Sequence, residues 1–214
     1  MADIQLTPFF PLQLVAFPGE QVKLHIFEPR YKQLIQECED DGIAFVIPPL
    51  TAEGIHEYGT EMRLGQVFQR YPGGELDILV EGVCAVHIES FAKHVPNRLY
   101  SGGEIVRVEN DPIAEEAIQT RLADLYEQFH RLMGLADIET DFSRRNVSFL
   151  IGHELAMTME QKVRLLSLPR ESDRQEYIAD HLERVIPMVE SAQTTRRRTR
   201  GNGHVSASED ESAF

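Results

Sequence analysis

The sequence predicts an α+β fold, with a β-rich half followed by a helical half. Three observations predict it. From the N-terminus to about residue 110, short apolar runs alternate with Gly and Pro breaks, the pattern of a small closed or partly closed sheet. Within that half, one segment alone carries a helical stripe. After Asp111-Pro112 the apolar spacing changes to threes and fours and stays there.

The elements follow in order. Leu12 to Phe17 is apolar apart from Gln13 and is expected as a strand. Pro18-Gly19 makes a turn, since proline pre-sets φ and glycine accepts positive φ. Val22, Leu24 and Ile26 alternate with Lys23 and His25, as in a half-buried strand. Glu28-Pro29 opens a helix, because proline at the first helical position loses no hydrogen bond. Tyr31, Leu34, Ile35 and Cys38 form its apolar stripe, and Asp40, Asp41 and Gly42 stop it. Ile43 to Ile47 is a buried strand closed by Pro48-Pro49, and 51–59 is a loop. Glu61 to Tyr71 alternates, with a bulge expected at Gly65. Pro72-Gly73-Gly74 turns the chain into Leu76–Val80. Gly82 separates that strand from Val83–Ile88. After Pro96-Asn97, Gly102-Gly103 leads into a last strand with Ile105, Val106 and Val108, giving roughly six or seven strands.

In the second half, Asp111 as N-cap and Pro112 predict a helix start. Ile118, Leu122, Leu125, Phe129 and Leu132 form its seam, which ends near Gly134. Val147, Leu150, Ile151 and Leu155 mark a second helix. Thr158 with Gln161 is a capping box opening Met159–Leu166, and Ser172 with Gln175 is another. The latter opens a helix bearing Tyr177, Ile178, Leu182, Val185 and Ile186, which Pro187 ends or kinks. This divides the chain into a β-rich domain (1–110), a bundle of about four helices (111–190) and a disordered tail (191–214) without apolar periodicity.

Composition narrows the function classes. The 214 residues are 42% hydrophobic, enough for a core, and the formal net charge is −14. Such a charge disfavours nucleic acid and anionic membrane as partners. Two cysteines, Cys38 and Cys84, without a CxxC pair argue against a zinc site or a disulfide framework. The first residues lack a basic and apolar leader, and there is no apolar run of membrane-spanning length. The expected compartment is the cytoplasm.

Candidate chemistry is sparse. His153-Glu154-Leu155-Ala156-Met157 nearly matches the zinc helix H-E-x-x-H, but Met157 stands where the second histidine must be. A surface His-Glu pair is the reading taken. Cys38 and Cys84 read as small core residues. Arg196, Arg197, Arg198 and Arg200 form a short basic run followed by Glu209, Asp210 and Glu211, a solvated tail. His25, Glu28, Arg30 and Tyr31 sit at the strand-to-helix junction. They read either as a polar cluster in a binding cleft or as groups that tie down a half-buried helix start. The structural reading is taken. Val67, Phe68 and Tyr71 adjoin the Pro72-Gly73-Gly74 turn. They either offer an apolar peptide contact, or are core or cover the sheet end. No catalytic residue, metal ligand or cofactor site is expected.

Three blocks, Phe10-Pro11-Leu12, Phe17-Pro18-Gly19-Glu20 and His25-Ile26-Phe27-Glu28-Pro29-Arg30-Tyr31, resemble in order and spacing the opening of the Lon protease N-terminal (substrate-binding) domain. Lys23 stands where the family usually has a proline. A looser likeness returns at Glu160-Gln161-Lys162, Leu165-Leu166 and Ser172-Asp173-Arg174. The resemblance implies a twisted, PUA-like pseudo-barrel with one inserted helix, followed by a helical bundle. It marks Pro18, Gly19, His25, Glu28, Pro29, Arg30 and Tyr31 as motif residues, read here as structural. Full Lon proteases also carry an ATPase and a Ser-Lys peptidase. An ATPase needs G-x-x-x-x-G-K-[ST], and this sequence has no Gly-Lys pair. The resemblance therefore implies a stand-alone, non-catalytic module binding unfolded or extended polypeptide, or a protease or chaperone partner, as an adaptor in proteolysis. The alternatives are a small-molecule binder or enzyme that reuses the scaffold, and a purely structural subunit. No oligomeric state is read from the sequence.

Overall fold

The computed structural model describes residues 6–135 and 140–201, with side chains up to Thr195. In order, the elements are β1 (Thr7–Phe9), β2 (Gln21–Ile26), α1 (Pro29–Asp41), β3 (Phe45–Ile47), β4 (Leu50–Thr51), β5 (Gly54–Ile55), β6 (Tyr58–Arg70), β7 (Leu76–Ile88), β8 (Ser101–Gly103) and β9 (Ile105–Arg107). Four helices follow: α2 (Glu116–Met133), α3 (Val147–Glu154), α4 (Met159–Ser167) and α5 (Glu171–Gly201). Among the described residues no helix is long and apolar enough to cross a membrane.

The main sheet runs β2-β7-β6-β3-β1-β8, and β9 returns to pair with β7. Only Glu104 separates β8 from β9, so one extended run pairs β1 with its first half and β7 with its second. That run closes a ring, which is the pseudo-barrel. The strands approach so closely at the closure that a Cβ on Gly103 would lie 1.9 Å from the Ser90 carbonyl oxygen. Strand β2 lies outside the ring. Among the described residues it pairs only with the tip half of β7, from Gln21↔Glu81 to Ile26↔Leu76.

The structure revises several readings of the β-rich half. Leu12–Phe17 is irregular rather than a strand. It reads as continuously apolar because it is buried from both sides: Ala16 enters the core between sheet and α1, while Val15 and Phe17 enter the core shared with the helices. Within 51–59 lies the small β4–β5 hairpin. Gly82 does not end a strand; β7 continues through it. A Cβ there would sit 2.2 Å from the Phe17 carbonyl oxygen, so glycine lets the Pro18-Gly19 turn lie against β7. The bulge at Gly65 is present, between Leu64 and Gln66.

The helical half shows related shifts. Helix α2 starts at Glu116 rather than beside Asp111. The Asp111 backbone instead pairs with the α4–α5 linker, giving its N–H to Pro169 O at 2.9 Å and accepting from the Glu171 N–H at 2.7 Å. Thr158 and Gln161 form the expected capping box. Ser172 does not cap its own helix: its hydroxyl accepts the Glu115 N–H at 3.0 Å, at the entrance of α2. Leu150, read as part of a buried seam, faces outward, whereas Val147, Ile151 and Leu155 are buried. Helix α5 runs past Pro187 and through 191–201, a stretch read from sequence as disordered tail. The side chains of Arg196, Arg197, Arg198 and Arg200, and all of 202–214, lie outside the described residues.

Barrel and bundle meet at a buried ionic network. Arg174 is 1% exposed, and Glu171 and Ser148 are fully buried. The Arg174 Nε donates to Glu171 Oε2 at 2.9 Å and to Ser148 Oγ at 3.0 Å. Nη1 donates to the carbonyls of Leu168 and Pro169, and Nη2 to the amide oxygens of Asn110 and Asn146. Glu171 also receives the Ser148 N–H and the Gln175 amide. Removing one partner of a buried pair strands the other charge away from water. Arg174→Ala should therefore lower stability by about 3–5 kcal/mol in urea denaturation. Replacing Arg174 and Glu171 together by apolar residues should cost less than the sum of the single losses.

Candidate functional site

The tip of the β6–β7 hairpin, with β2 alongside, forms a three-stranded extension beyond the ring. Side chains alternate across it. Ile26, Leu76, Ile78 and Val80 face α1, where they meet the stripe of Tyr31, Leu34, Ile35 and Cys38. Val67 turns the same way and packs on this core. The opposite face looks into solvent and collects aromatic rings. Phe27 is 61% exposed, Phe68 46% and Tyr71 41%.

These rings are held in place. Asp77 lies opposite His25 in the ladder. Its carboxylate meets His25 Nδ1 at 2.6 Å and accepts the Tyr71 O–H at 2.7 Å. The His25 ring stacks on Phe27 at 6.1 Å between centroids and meets Tyr71 edge-on at 5.8 Å. Lys23 Nζ lies 5.9 Å from the centre of the Phe68 ring. The turn is strutted from α1, where Lys32 Nζ donates to Gly73 O at 3.0 Å. The Tyr71 hydroxyl and the His25 ring hold the Asp77 carboxyl below its ordinary pKa, and in return the carboxylate raises that of Tyr71.

Of the expected contact residues, Phe68 and Tyr71 share this solvent face and Val67 does not. His25, expected in a polar pocket at the junction, joins the exposed face instead. Glu28 and Arg30 pair at 2.8 Å on the surface, with side chains 38% and 48% exposed, not at a half-buried junction. Each of them replaced by alanine should change stability by less than about 1 kcal/mol. Pro29 starts α1, the Arg30 guanidinium lies over the buried Tyr31 ring, and Gly19 donates its N–H to Gly82 O at 2.8 Å within the Pro18-Gly19 turn. Sequence reasoning missed Asp77 and Phe27. The signal for Asp77 was a lone carboxylate at an outward position of the apolar run Leu76–Val80. Phe27 carried none, because a single aromatic residue at a strand end reads as core.

A second concave region, a cleft of about 610 Å³, lies between the Phe17–Gln21 turn with Gly82 and Val83 on one side and Arg144–His153 on the other. His153 Nδ1 reaches Glu20 Oε1 across it at 3.1 Å, and the other Glu20 oxygen accepts the Phe17 N–H. Glu154 accepts the Tyr126 O–H at 2.6 Å, and Met157 lies beyond the end of α3. Among the described residues no group of His, Cys, Asp or Glu is placed to hold a metal. Burial pushes the Cys38 and Cys84 thiols up to about 12. Cys84 also bonds Glu61 at 3.1 Å, which the Arg107 guanidinium grips.

The tip geometry carries its own check. Tyr71→Phe removes the principal donor to the Asp77 carboxylate, so the Asp77 midpoint should rise toward the ordinary carboxylate range in a carbon-detected NMR titration. An unchanged midpoint would show that the hydroxyl does not hold Asp77 in solution.

The sequence matches the substrate-binding domain of ATP-dependent protease La (LON) over residues 7–184. A Lon protease from Desulforamulus reducens is 24% identical over 222 residues, covering 93% of this chain and 26% of that protein. The chain thus spans about a quarter of the length of that relative. Among solved structures, a Lon N-terminal domain protein from Xanthomonas campestris superposes with a TM-score of 0.66 at 21% identity, covering 82% of this chain and 97% of the other. The N-terminal domain of the Mycobacterium avium complex Lon protease gives a TM-score of 0.60 at 16% identity, covering 84% and 98%. The fold is therefore shared with these structures, and the chain belongs to the family of Lon substrate-binding domains.

Proposed function

We propose that this chain is a non-catalytic polypeptide-recognition module that captures unfolded or extended segments through the aromatic face of the β2–β7–β6 tip. The observation that carries the reading is the exposed cluster of Phe27, Phe68 and Tyr71, held by Asp77 and His25 on a rigid sheet. Aromatic rings fixed at the surface give apolar contact at little entropic cost, and they tolerate varied sequence. Membership of the Lon substrate-binding family supports a polypeptide ligand. The module then serves proteolysis as an adaptor, with a protease or chaperone as partner. Its compartment is the cytoplasm, in keeping with two free thiols. The cleft beside Glu20 and His153 supports a second reading, in which the scaffold takes a small ligand.

Titration of a reduced, unfolded protein at low and high ionic strength tests the module. Apolar contact survives screening, whereas attraction to a chain of net charge −14 fades with salt. Saturable binding is expected in both conditions. Phe68→Ala should weaken it about tenfold, equivalent to ~1.4 kcal/mol. Val67→Ala should lower the melting temperature and leave affinity unchanged, since Val67 faces α1. With ATP and casein, the purified protein should show neither ATP hydrolysis nor cleavage. Absence of binding at both ionic strengths overturns the reading.

A further inference from the structure

Strand β2 ends the sheet, and among the described residues its outer edge faces no other strand. The phase of its ladder is set by the Gly82 N–H, which donates to Glu20 O at 2.9 Å. Antiparallel pairs exchange hydrogen bonds at every second residue. Counting from Glu20↔Gly82, the residues that bond to β7 are Val22, Leu24 and Ile26. Gln21, Lys23 and His25 therefore turn both N–H and C=O to the free edge. Among the described residues, no other backbone group takes them up.

We propose that this edge receives an extended segment of another polypeptide as an added antiparallel strand. The segment carries an acidic side chain opposite Lys23 and apolar side chains on either side of it. The inference rests on the polypeptide-recognition reading and specifies how the backbone is held. Three features define the occupant. A residue opposite Lys23 falls on the solvent face, beside an ammonium that has no carboxylate partner among the described residues and lies only over the Phe68 ring. Residues opposite Val22 and Leu24 fall on the α1 side, where both side chains are half-buried and extend the apolar core. At the Gln21 end, the cleft that holds Arg144 and Arg145 also holds the Glu20–His153 pair, so it is polar and mixed in charge and confines the apolar part of the segment to the residues opposite Val22 and Leu24. The acidic preference is set by Lys23, since an opposite charge directly across a ladder is favoured.

A second copy of the chain fits poorly. Two β2 edges related by a two-fold axis at Lys23 would set lysine against lysine, and like charges directly opposite are destabilising. Edge strands are commonly guarded by proline, which cannot donate to an added strand. Lys23 is the middle residue of the outward-bonding set Gln21, Lys23 and His25. Its N–H points outward, so Lys23→Pro closes the edge while removing no hydrogen bond to β7.

The test uses the whole chain and short capped peptides with Val-Glu-Val at the centre, followed by NMR. The Lys23 and His25 amides should shift on titration, and their hydrogen exchange should slow. N-methylation of the peptide glutamate removes the donor to Lys23 O and should weaken binding about tenfold or more. N-methylation of either flanking valine, whose N–H points away, should leave affinity unchanged. Lysine in place of the glutamate should weaken binding, and so should Lys23→Pro, with an unchanged melting temperature. Should Lys23→Pro fail to fold, the N-methyl series on the unaltered protein decides. Equal affinity of the N-methyl-glutamate peptide, or no peptide binding while unfolded protein still binds in a Phe68-dependent manner, overturns the edge inference and leaves the recognition module standing. No binding of either probe overturns both.

Discussion

The buried guanidinium of Arg174 constrains everything around it. It carries five N–H donors and cannot lose its proton, so every donor must find an oxygen once water is excluded. The oxygens come from four places: the end of the barrel chain at Asn110, the entrance of α3 at Asn146 and Ser148, the α4–α5 linker at Leu168 and Pro169, and Glu171 at the start of α5. Those segments must converge within hydrogen-bond reach of one side chain. The guanidinium also lies 4.5 Å from the centre of the Phe149 ring, which stacks on Phe17 at 5.4 Å. The same point thus fixes the bundle on the barrel and positions the Pro18-Gly19 turn that leads into β2.

Two hydrophobic cores draw on the segment that leads into that turn. One lies between the sheet and α1, and the other between the helices and the barrel wall formed by Val15, Phe17 and Ala85. The segment from Phe10 to Phe17 sends alternate side chains into each. Thr60 secures it from the barrel, its hydroxyl donating to Ala16 O at 2.6 Å. The two cores are thus joined by one stretch of main chain, whose ladder contacts stop at the Leu12–Pro49 bridge. Among the described residues, ring closure gives each barrel strand neighbours on both sides, and the extension beyond it carries the free edge of β2.

Much of this was legible in the sequence because local chemistry and tertiary structure agree. The stripe Tyr31, Leu34, Ile35 and Cys38 is the set of buried α1 residues, and Thr158 with Gln161 caps α4 as read. The family motif in Phe10–Tyr31 announced the architecture. Legibility failed where long-range contacts overrode local signals. Asp111-Pro112 looks like a helix start, but its backbone is claimed by Pro169 and Glu171. Ser172 looks like the cap of its own helix and serves its neighbour. Gly82 looks like a break and is a place of close approach. At the tip, Phe68 and Tyr71 were visible beside a turn, whereas Asp77, which organises the rings, acts across strands and lacks a local signature.

The closure of the ring also sets when the molecule can become itself. Strand β1 pairs with β8, Thr7 lying opposite Gly103, so the two halves of the seam are about 100 residues apart in the chain. The β6–β7 hairpin joins neighbours through a short turn and can form early. The seam must wait for a large loop to be ordered, which is the entropic reason that non-local sheets fold slowly. During synthesis on the ribosome, β1 emerges first and has no partner until β3 and then β8 have followed. The apolar stretch Phe9 to Phe17 spends that interval uncovered, which makes the opening of the β-rich half the part of the nascent chain most open to association.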